Sequence, residues 1–232
     1  MRTEDLNWMD VENYLKGEDR LILVLGACEQ HGYLSLLTDV KIPLALADAA
    51  SKQTGVLVAP PLNFGVSPYF MTYPGTLSLR ASTLLDLVED LVRSTYGQGF
   101  RRLLVLNGHG GNDAARARLV ELGNQLPALR LSWYAWWQSP SVEGLARRHE
   151  LERAHASWME AFPFTRVADL PEGLKTVPPF SGLLNASQTR QVYGDGVFGG
   201  AYQVDDAVMQ ELFDVCLEDV LHLLRFSESV SR

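Results

Sequence analysis

The chain has 232 residues, of which 47% are hydrophobic and 21% are charged. That length suits one large α/β domain, and the composition argues against disorder, collagen or coiled coil as a description of the whole chain. Lys and Arg number 20 against 28 Asp and Glu, which gives a formal net charge of −8. Because this charge repels phosphate groups, we expect neither nucleic acid nor an anionic membrane as a partner.

The first residues and the cysteines bear on the compartment in which the chain works. No run approaches the roughly 18 apolar residues of a membrane span, and the first residues lack the apolar stretch of a signal peptide. The two cysteines, Cys28 and Cys216, lie far apart and form no CxxC pattern. We therefore expect a cytoplasmic protein with reduced thiols.

Strand and helix signals alternate along the chain. In chain order they are a strand at 21–25, a helix from Pro43 to about Gly55, a strand at 56–59, a helix from Ser82 to Gly97 or Gly99, a strand at 103–106, a helix to about Gly123, a strand at 129–134 and a helix from Asp205 or Asp206 through Leu224. Residues 163–203 are rich in Pro, Gly and Ser, which predicts long loops. This alternation predicts an α/β protein whose mostly parallel sheet is covered on both faces, as a single domain over residues 1–232.

Polar residues follow the first and third predicted strands. Glu29 and His31 come soon after the first, Asp39 lies a short loop later, and His109 follows the third. The carboxyl ends of parallel strands share one edge, where such folds bind ligands. Imidazole and carboxylate together suit Zn²⁺, Mn²⁺ or Fe²⁺. A single histidine at a strand end is more often a hydrogen-bonded core or surface residue, so on the residues alone both interpretations stay open.

Glycines and tryptophans near these positions suggest how a ligand is held. Gly110 and Gly111 follow His109, and their backbone amides can hold an oxyanion. Three clustered tryptophans belong either to the core or an interface, or to the wall of a pocket for a flat ligand: Trp133, Trp136 and Trp137.

Other catalytic motifs do not account for the chain. There is no GxSxG elbow of a serine hydrolase and no GxxxxGK[ST] loop of a nucleotide triphosphatase. Residues Gly194–Gly199 match GxGxxG, but they follow a stretch rich in Pro and Gly instead of a strand. We interpret them as a mobile loop with tight turns.

Five stretches, taken in order, resemble the motifs of the creatininase (creatinine amidohydrolase) family. They are Gly26–Gly32 with Thr38-Asp39, Phe64–Ser67, Tyr73–Ser78, Asn107–Asn112 and His155–Glu160. The glycine loop at 194–200 and the last helix also lie where the family has them. Each motif is weak alone, but the combination is specific and covers nearly the whole chain.

The resemblance implies a three-layer α/β/α sandwich that assembles as a homohexamer, with two divalent metal ions in each subunit. Glu29 and His109 would bind one ion, His31 would bind the other, and Asp39 would bridge the two. His155 matches the proton-transferring histidine of the family.

The second metal site needs a further ligand. Creatininase itself has a glutamate two residues after the histidine of its second motif, and that position is Gly111 here. Members with the Gly-Gly version take this ligand from the glutamate that matches Glu160, so the resemblance assigns Glu160 to the second metal.

The chain departs from the family on the substrate side. Ser157 replaces the glycine of the H-A-G motif, and Ala161-Phe162 replace its threonine and serine. Leu151 stands where creatininase has a tryptophan, and Pro68–Met71 lacks a histidine that many relatives carry. The resemblance therefore supports metal-dependent hydrolysis more firmly than creatinine as the substrate.

The function that the resemblance implies is amide hydrolysis. A metal-activated water attacks the carbonyl of a small-molecule amide, the Gly110 and Gly111 amides support the oxyanion, and His155 protonates the leaving nitrogen. A cyclic amide or a formamide fits this scheme, and a family peptidase that trims a short peptide is an alternative. A non-catalytic, metal-binding oligomeric relative is another. We expect part of the aromatic residues at 133–137 and 158–164 to be buried between subunits.

Overall fold

The computed structural model describes residues 1–180 and 182–227. Its helices are α1 (Trp8–Tyr14), α2 (Thr38–Thr54), α3 (Ala81–Gln98), α4 (Ala115–Gln125), α5 (Pro140–Arg148), α6 (Ala186–Tyr193) and α7 (Asp206–Leu223). Its strands are β1 (Arg20–Leu25), β2 (Leu57–Val58), β3 (Arg102–Asn107), β4 (Arg130–Ala135), β5 (Leu174–Lys175) and β6 (Gly200–Ala201). The four predicted strands are therefore confirmed as β1 to β4.

The main sheet has the strand order β2-β1-β3-β4, and all its neighbouring strands are parallel. β1 and β3 pair along their full length, so that Leu25 lies opposite Asn107. Both strands are almost wholly buried, which is why their sequences are continuous apolar runs instead of alternating ones. The loops that follow β1 and β3 consequently leave the same edge of the sheet side by side.

Helices cover both faces of this sheet. Alternate residues of β1, such as Ile22 and Val24, pack against α2, α5 and α7. The intervening residues, such as Leu21 and Leu23, pack against α3 and α4, with α1 beside them. The expected three-layer α/β/α sandwich with a mostly parallel sheet is confirmed. The single-domain organisation stays a prediction.

Two local predictions are wrong. Pro43 does not open α2; it lies inside the helix, which runs from Thr38 to Thr54 and is followed by Gly55 in a left-handed conformation. A proline at this position removes one helical hydrogen bond, because it has no N–H. Residues 163–203 do not form only loops, because β5, β6 and α6 lie within them. Asn185 and Gln188 cap the start of α6 reciprocally, a capping box that composition alone obscured.

Two glycines let the start of α2 lie against the sheet edge. Pro43 has no N–H to donate to the backbone oxygen of Asp39, four residues earlier. An added Cβ at Gly108 would lie 1.9 Å from that oxygen, and one at Gly26 would lie 2.8 Å from it. Only glycine fits at these contacts, so they fix where the Asp39 side chain enters the edge.

Among the described residues, none of the helices combines the length and apolar character that crossing a membrane requires.

We predict that Gly108→Ala destabilises the fold by about 1–3 kcal/mol, because the backbone oxygen of Asp39 cannot yield to the added methyl group. The matched variant is Gly97→Ala, inside α3, where nothing lies within 4 Å of an added Cβ. It should be neutral or stabilise by about 0.5–1 kcal/mol, since alanine favours helix over glycine. Urea unfolding followed by circular dichroism measures both, and equal stability of the two variants would contradict the packing argument.

Candidate metal centre

Four of the five residues assigned to metal by the sequence lie at the carboxyl edge of the main sheet. Glu29 and His31 lie in the loop after β1, and Asp39 is the second residue of α2. His109 lies in the neighbouring loop after β3. All four are buried, and none is more than 7% exposed. The pairing of β1 with β3 thus brings together residues that are up to 80 positions apart in the sequence.

Asp39 lies between two histidines. Its Oδ1 is 2.9 Å from Nε2 of His31, and its Oδ2 is 3.0 Å from Nδ1 of His109. Oε1 of Glu29 lies 3.3 Å from the same Nδ1. The two oxygens of one carboxylate therefore face two different sets of partners, which is the arrangement that a bridging carboxylate needs.

Backbone carbonyls fix the orientation of both histidines. Nδ1 of His31 is 3.1 Å from the backbone oxygen of Glu29, and Nε2 of His109 is 2.9 Å from that of Val66. A carbonyl oxygen only accepts, so these two nitrogens carry the hydrogen. The opposite nitrogens, Nε2 of His31 and Nδ1 of His109, face the carboxylates. Histidine ligands of metals are commonly held in this way.

Glu160 joins this cluster from a distant part of the chain. It ends a short 3₁₀ turn that begins at Trp158, and it is 6% exposed. Its Oε2 lies 3.9 Å from Nε2 of His31 and accepts a hydrogen bond of 2.5 Å from the backbone N–H of Ala156. Its backbone oxygen accepts a hydrogen bond from the hydroxyl of Thr165. These bonds hold the carboxylate on the side of His31 where the sequence placed it.

The cluster holds more negative charge than its surroundings solvate. Burial raises the pKa of Glu29, and it raises the pKa of Glu160 to about 7. Burial alone would lower the pKa of His31, but the carboxylates of Asp39, Glu160 and Glu29 together outweigh it and raise that pKa to about 10. For Asp39, His31 and His109 together outweigh burial and hold its pKa well below the usual value. The carboxylates therefore demand positive charge at the positions between them.

The residues fit divalent metal ions. Two sets of three side chains each bring one ligand atom within 4.8 Å of the others: Glu29, Asp39 and His109, and His31, Asp39 and Glu160. The two sets share Asp39. Among the residues that the structure describes, Oε2 of Glu29 and Oδ2 of Asp39 are buried without a hydrogen bond, the latter despite its closeness to His109. Unsatisfied carboxylate oxygens beside imidazoles are the donors that such ions use.

His155 lies beside the cluster, partly exposed to the cavity. Its ring stacks on Phe70 at 4.8 Å and meets Phe198 edge-on at 4.9 Å. Its Nδ1 is 4.0 Å from Oε1 of Glu29. Burial, together with the neighbouring His31, holds the pKa of His155 well below its usual value. A third set of possible ligands includes this ring with Glu29 and His31.

A cavity of about 650 Å³ opens onto the cluster. Besides the carboxylates and His109, its lining includes Gly110, Trp137, Gln138, Arg153, His155 and Met159. Trp133 does not belong to this wall, contrary to the sequence prediction. Its side chain leaves β4 toward the layer of α3 and α4, whereas Trp137 lies just past the end of β4.

Gly111 has no room for a side chain. An added Cβ would lie 1.9 Å from the backbone oxygen of Val66 and 2.5 Å from Nε2 of His109. A glutamate at this position is therefore incompatible with the loop, and Glu160 is the carboxylate that reaches the His31 side instead.

The sequence analysis singled out neither Arg153 nor Met159, which line the cavity. Their neighbours in the sequence, His155 and Glu160, were the available signal, because a short turn that carries two site residues also presents the residues between and beside them.

The chain belongs to the creatininase family: the family model described as creatinine amidohydrolase matches residues 4–224.

Individual relatives agree with this membership. Creatinine amidohydrolase of Pseudomonas putida is 35% identical over 145 residues, which are 60% of this chain and 54% of that protein. Mycofactocin precursor peptide peptidase of Mycolicibacterium smegmatis is 36% identical over 109 residues, 44% of each chain. These matches thus span about half the length of the curated relatives. A manganese form of creatininase, 24% identical, has the same fold with a TM-score of 0.76 over 97% of both chains.

We predict that Asp39→Asn removes metal from every site in the cluster, because both ligand sets depend on this carboxylate. Affinity should fall by roughly 100-fold or more. Elemental analysis of the purified protein measures this, with Asp86→Asn, an exposed aspartate of α3, as the control that keeps its metal. Wild-type metal content in Asp39→Asn would contradict the bridging role.

Proposed function

We propose that the chain is a metal-dependent amidohydrolase that holds two divalent ions, Zn²⁺, Mn²⁺ or Fe²⁺, in each subunit. The observation that carries this proposal is the pair of ligand sets that share Asp39. Glu29 and His109 would hold one ion and His31 and Glu160 the other. When bound, such ions lower the pKa of water and polarise a carbonyl oxygen.

The chain's own groups complete the proposed site. The cavity is of the size that small-molecule sites have, and Trp137 supplies an apolar wall. The backbone N–H groups of Gly110 and Gly111 would donate to the oxyanion that forms when the amide is attacked. His155 would deliver a proton from Nδ1, the nitrogen on the side of Glu29, to the leaving nitrogen.

The proposed substrate is a small cyclic amide or a formamide. A related enzyme of Pseudomonas putida is named for creatinine and one of Mycolicibacterium smegmatis for a precursor peptide, so cleavage of a C–N bond is what both have in common. Trimming of a short peptide is therefore the second candidate. A non-catalytic, metal-binding relative is the third, but a cavity that opens onto the unsatisfied carboxylates favours catalysis.

A panel of substrates tests the proposal. The metal-loaded protein is assayed with creatinine and other small cyclic amides, with formamides and with short peptides, while its metal content is determined in parallel. We expect two ions per chain and turnover of at least one cyclic amide or formamide. Two ions with no turnover of any C–N bond would support the non-catalytic alternative, and turnover of peptides alone would support the peptidase.

We predict different outcomes for the two site residues of the 155–160 turn. Glu160→Gln should lower the occupancy of one metal selectively, because it removes a charged ligand from the His31 side. His155→Ala should retain both metals and lower turnover by about 10²–10⁴-fold, the usual contribution of a proton donor. Elemental analysis and amide turnover measure both, with Glu12→Gln, an exposed glutamate of α1, as control. Loss of metal in His155→Ala with full occupancy in Glu160→Gln would reverse the two assignments.

We further propose that the chain forms a homo-oligomer, a hexamer as in the family resemblance. Trp136 and Trp158 cannot contribute to its interface, because both are fully buried in the core of their own chain. Phe164, within the aromatic stretch expected at the interface, is 40% exposed. Further exposed apolar side chains lie on loops: Leu36, Phe64, Met71 and Leu77. Exposed apolar side chains of this kind favour association where they lie together.

We predict a species about six times the 25.8 kDa chain in sedimentation velocity at micromolar concentration. Met71→Lys together with Leu77→Lys should shift it toward smaller species, because charges would be buried at the contact. Val120→Lys, an exposed apolar residue of α4 on the far layer, is the control. A wild-type protein that sediments only as a single chain would rule the oligomer out.

A cytoplasmic location is part of the same proposal. Cys28 and Cys216 are both free in the structure, as the reducing cytoplasm favours.

A further inference from the structure

The ring of His155 presents one nitrogen to the metal ligands and the other to Gln30. Nδ1 lies 4.0 Å from Oε1 of Glu29, on the cavity side. Nε2 lies on the opposite side of the ring, where both the side chain and the backbone of Gln30 approach it. A neutral imidazole carries its proton on one nitrogen only. The partners of Nε2 therefore decide whether Nδ1 has a proton to offer the substrate.

The two partners of Nε2 require opposite protonation. The side-chain nitrogen of Gln30 lies 3.0 Å away and can only donate, so it needs an unprotonated Nε2. The backbone oxygen of Gln30 lies 3.2 Å away and can only accept, so it needs a protonated Nε2. The shorter contact belongs to the side-chain amide, and its direction depends on how that amide is turned.

The orientation of the Gln30 amide is fixed by two backbone groups. Its Oε1 accepts a hydrogen bond of 3.0 Å from the N–H of Gly32. Its Nε2 donates a hydrogen bond of 3.0 Å to the backbone oxygen of Gly196. Turning the amide over would set two donors against each other at Gly32 and two acceptors at Gly196. The amide nitrogen consequently faces His155, and its second N–H is available to Nε2 of the ring.

The glycine loop at 194–199 holds this amide in place. The backbone φ of Gly196 is +93°, and an added Cβ there would lie 1.7 Å from Oε1 of Gln30. Asp195 fixes the loop, since its side chain pairs with Lys175 and accepts a hydrogen bond from the N–H of Val197. The N–H of Phe198 donates to the backbone oxygen of His155 at 3.0 Å. The loop at 194–199 therefore contacts both Gln30 and His155. The close contact at Gly196 explains why the GxGxxG pattern has a glycine at that position.

We propose that Gln30 is a positioning residue that keeps the single proton of neutral His155 on Nδ1, with Gly196 as the clamp that orients the Gln30 amide. The inference rests on the proposed role of His155 as proton donor. Nδ1–H would donate to the leaving nitrogen as its bond to the carbonyl carbon breaks. Nδ1 would take up the proton that the attacking water loses in the same step in which it gives its own to the leaving nitrogen, so one proton enters the ring as one leaves it and His155 stays neutral.

The test reads the tautomer directly. The protein is labelled with ¹⁵N in its five histidines, loaded with zinc and measured by magic-angle-spinning NMR, with His155→Ala identifying the signals of His155. We expect a protonated Nδ1 and an unprotonated Nε2. A protonated Nε2 with a bare Nδ1 in the wild type would overturn the proposal, whether or not any amide is turned over.

Two variants test the cause. Gln30→Met keeps the length of the side chain but removes the N–H that faces Nε2, so the proton should move to Nε2, where the backbone oxygen of Gln30 accepts it. Gly196→Ala should have the same effect by displacing the amide. In both, kcat should fall by about 10²–10⁴-fold with much less change in KM, as for other enzymes whose histidine holds the wrong tautomer. Gln125→Met, at an exposed glutamine of α4, is the control.

Metal content separates this effect from structural damage. Both variants should retain zinc at the wild-type level, because neither changes a ligand. If Gln30→Met keeps its zinc and the proton stays on Nδ1, Gln30 does not set the tautomer and the proposal is wrong. A wild-type protein with the expected tautomer but no turnover of any amide leaves the positioning intact and instead contradicts the proposed hydrolase.

Discussion

The buried carboxylate of Asp39 is the constraint on which the site depends. A carboxylate that is 3% exposed is stable only where positive charge or hydrogen-bond donors surround it. His31 and His109 supply these on opposite sides, each tethered to a backbone carbonyl. The position of Asp39 is set in turn by close backbone contact with Gly26 and Gly108. Small changes at the glycines therefore reach the proposed metal ligands through the backbone.

The two sides of the cavity are held in position by different parts of the fold. The metal side is made of short loops and one helix start anchored to paired strands, so its geometry follows from the sheet. The other side includes the turn that carries His155, and this turn is bonded in its place by the N–H of Phe198 from the glycine loop. Ser157, where the family has glycine, is fully buried, and its hydroxyl donates to the backbone oxygen of Ala154 at 2.6 Å. The serine thus closes the turn itself, and the chain's departure from the family pattern leaves Glu160 in reach of the cluster.

Aromatic packing fixes the orientation of the His155 ring. Phe70 and Phe198 hold its ring from two sides, so the ring cannot rotate freely. The remaining freedom is the position of one proton, which depends on Gln30. Gln30 lies between Glu29 and His31 in the sequence, so a single loop after β1 carries two proposed metal ligands and the residue proposed to orient the proton donor. Gln30 therefore links the metal side of the cavity to the turn that carries His155, although these two segments are far apart in the sequence.

The sequence by itself determined the parallel sheet, its cover of helices on both faces and the edge at which Glu29, His31, Asp39 and His109 meet, because buried parallel strands are continuous apolar runs and their ends share one edge. Tertiary structure alone decided which tryptophan reaches the cavity. Side chains alternate across a strand, so Trp133 on β4 points to the layer of α3 and α4. Trp137 lies beyond the end of β4, where this alternation no longer applies. Local pattern likewise could not show that Gly196 clamps Gln30, since that contact joins residues 166 positions apart. Such contacts form only when two loops pack together in the folded chain, and the sequence pattern within either loop does not predict them.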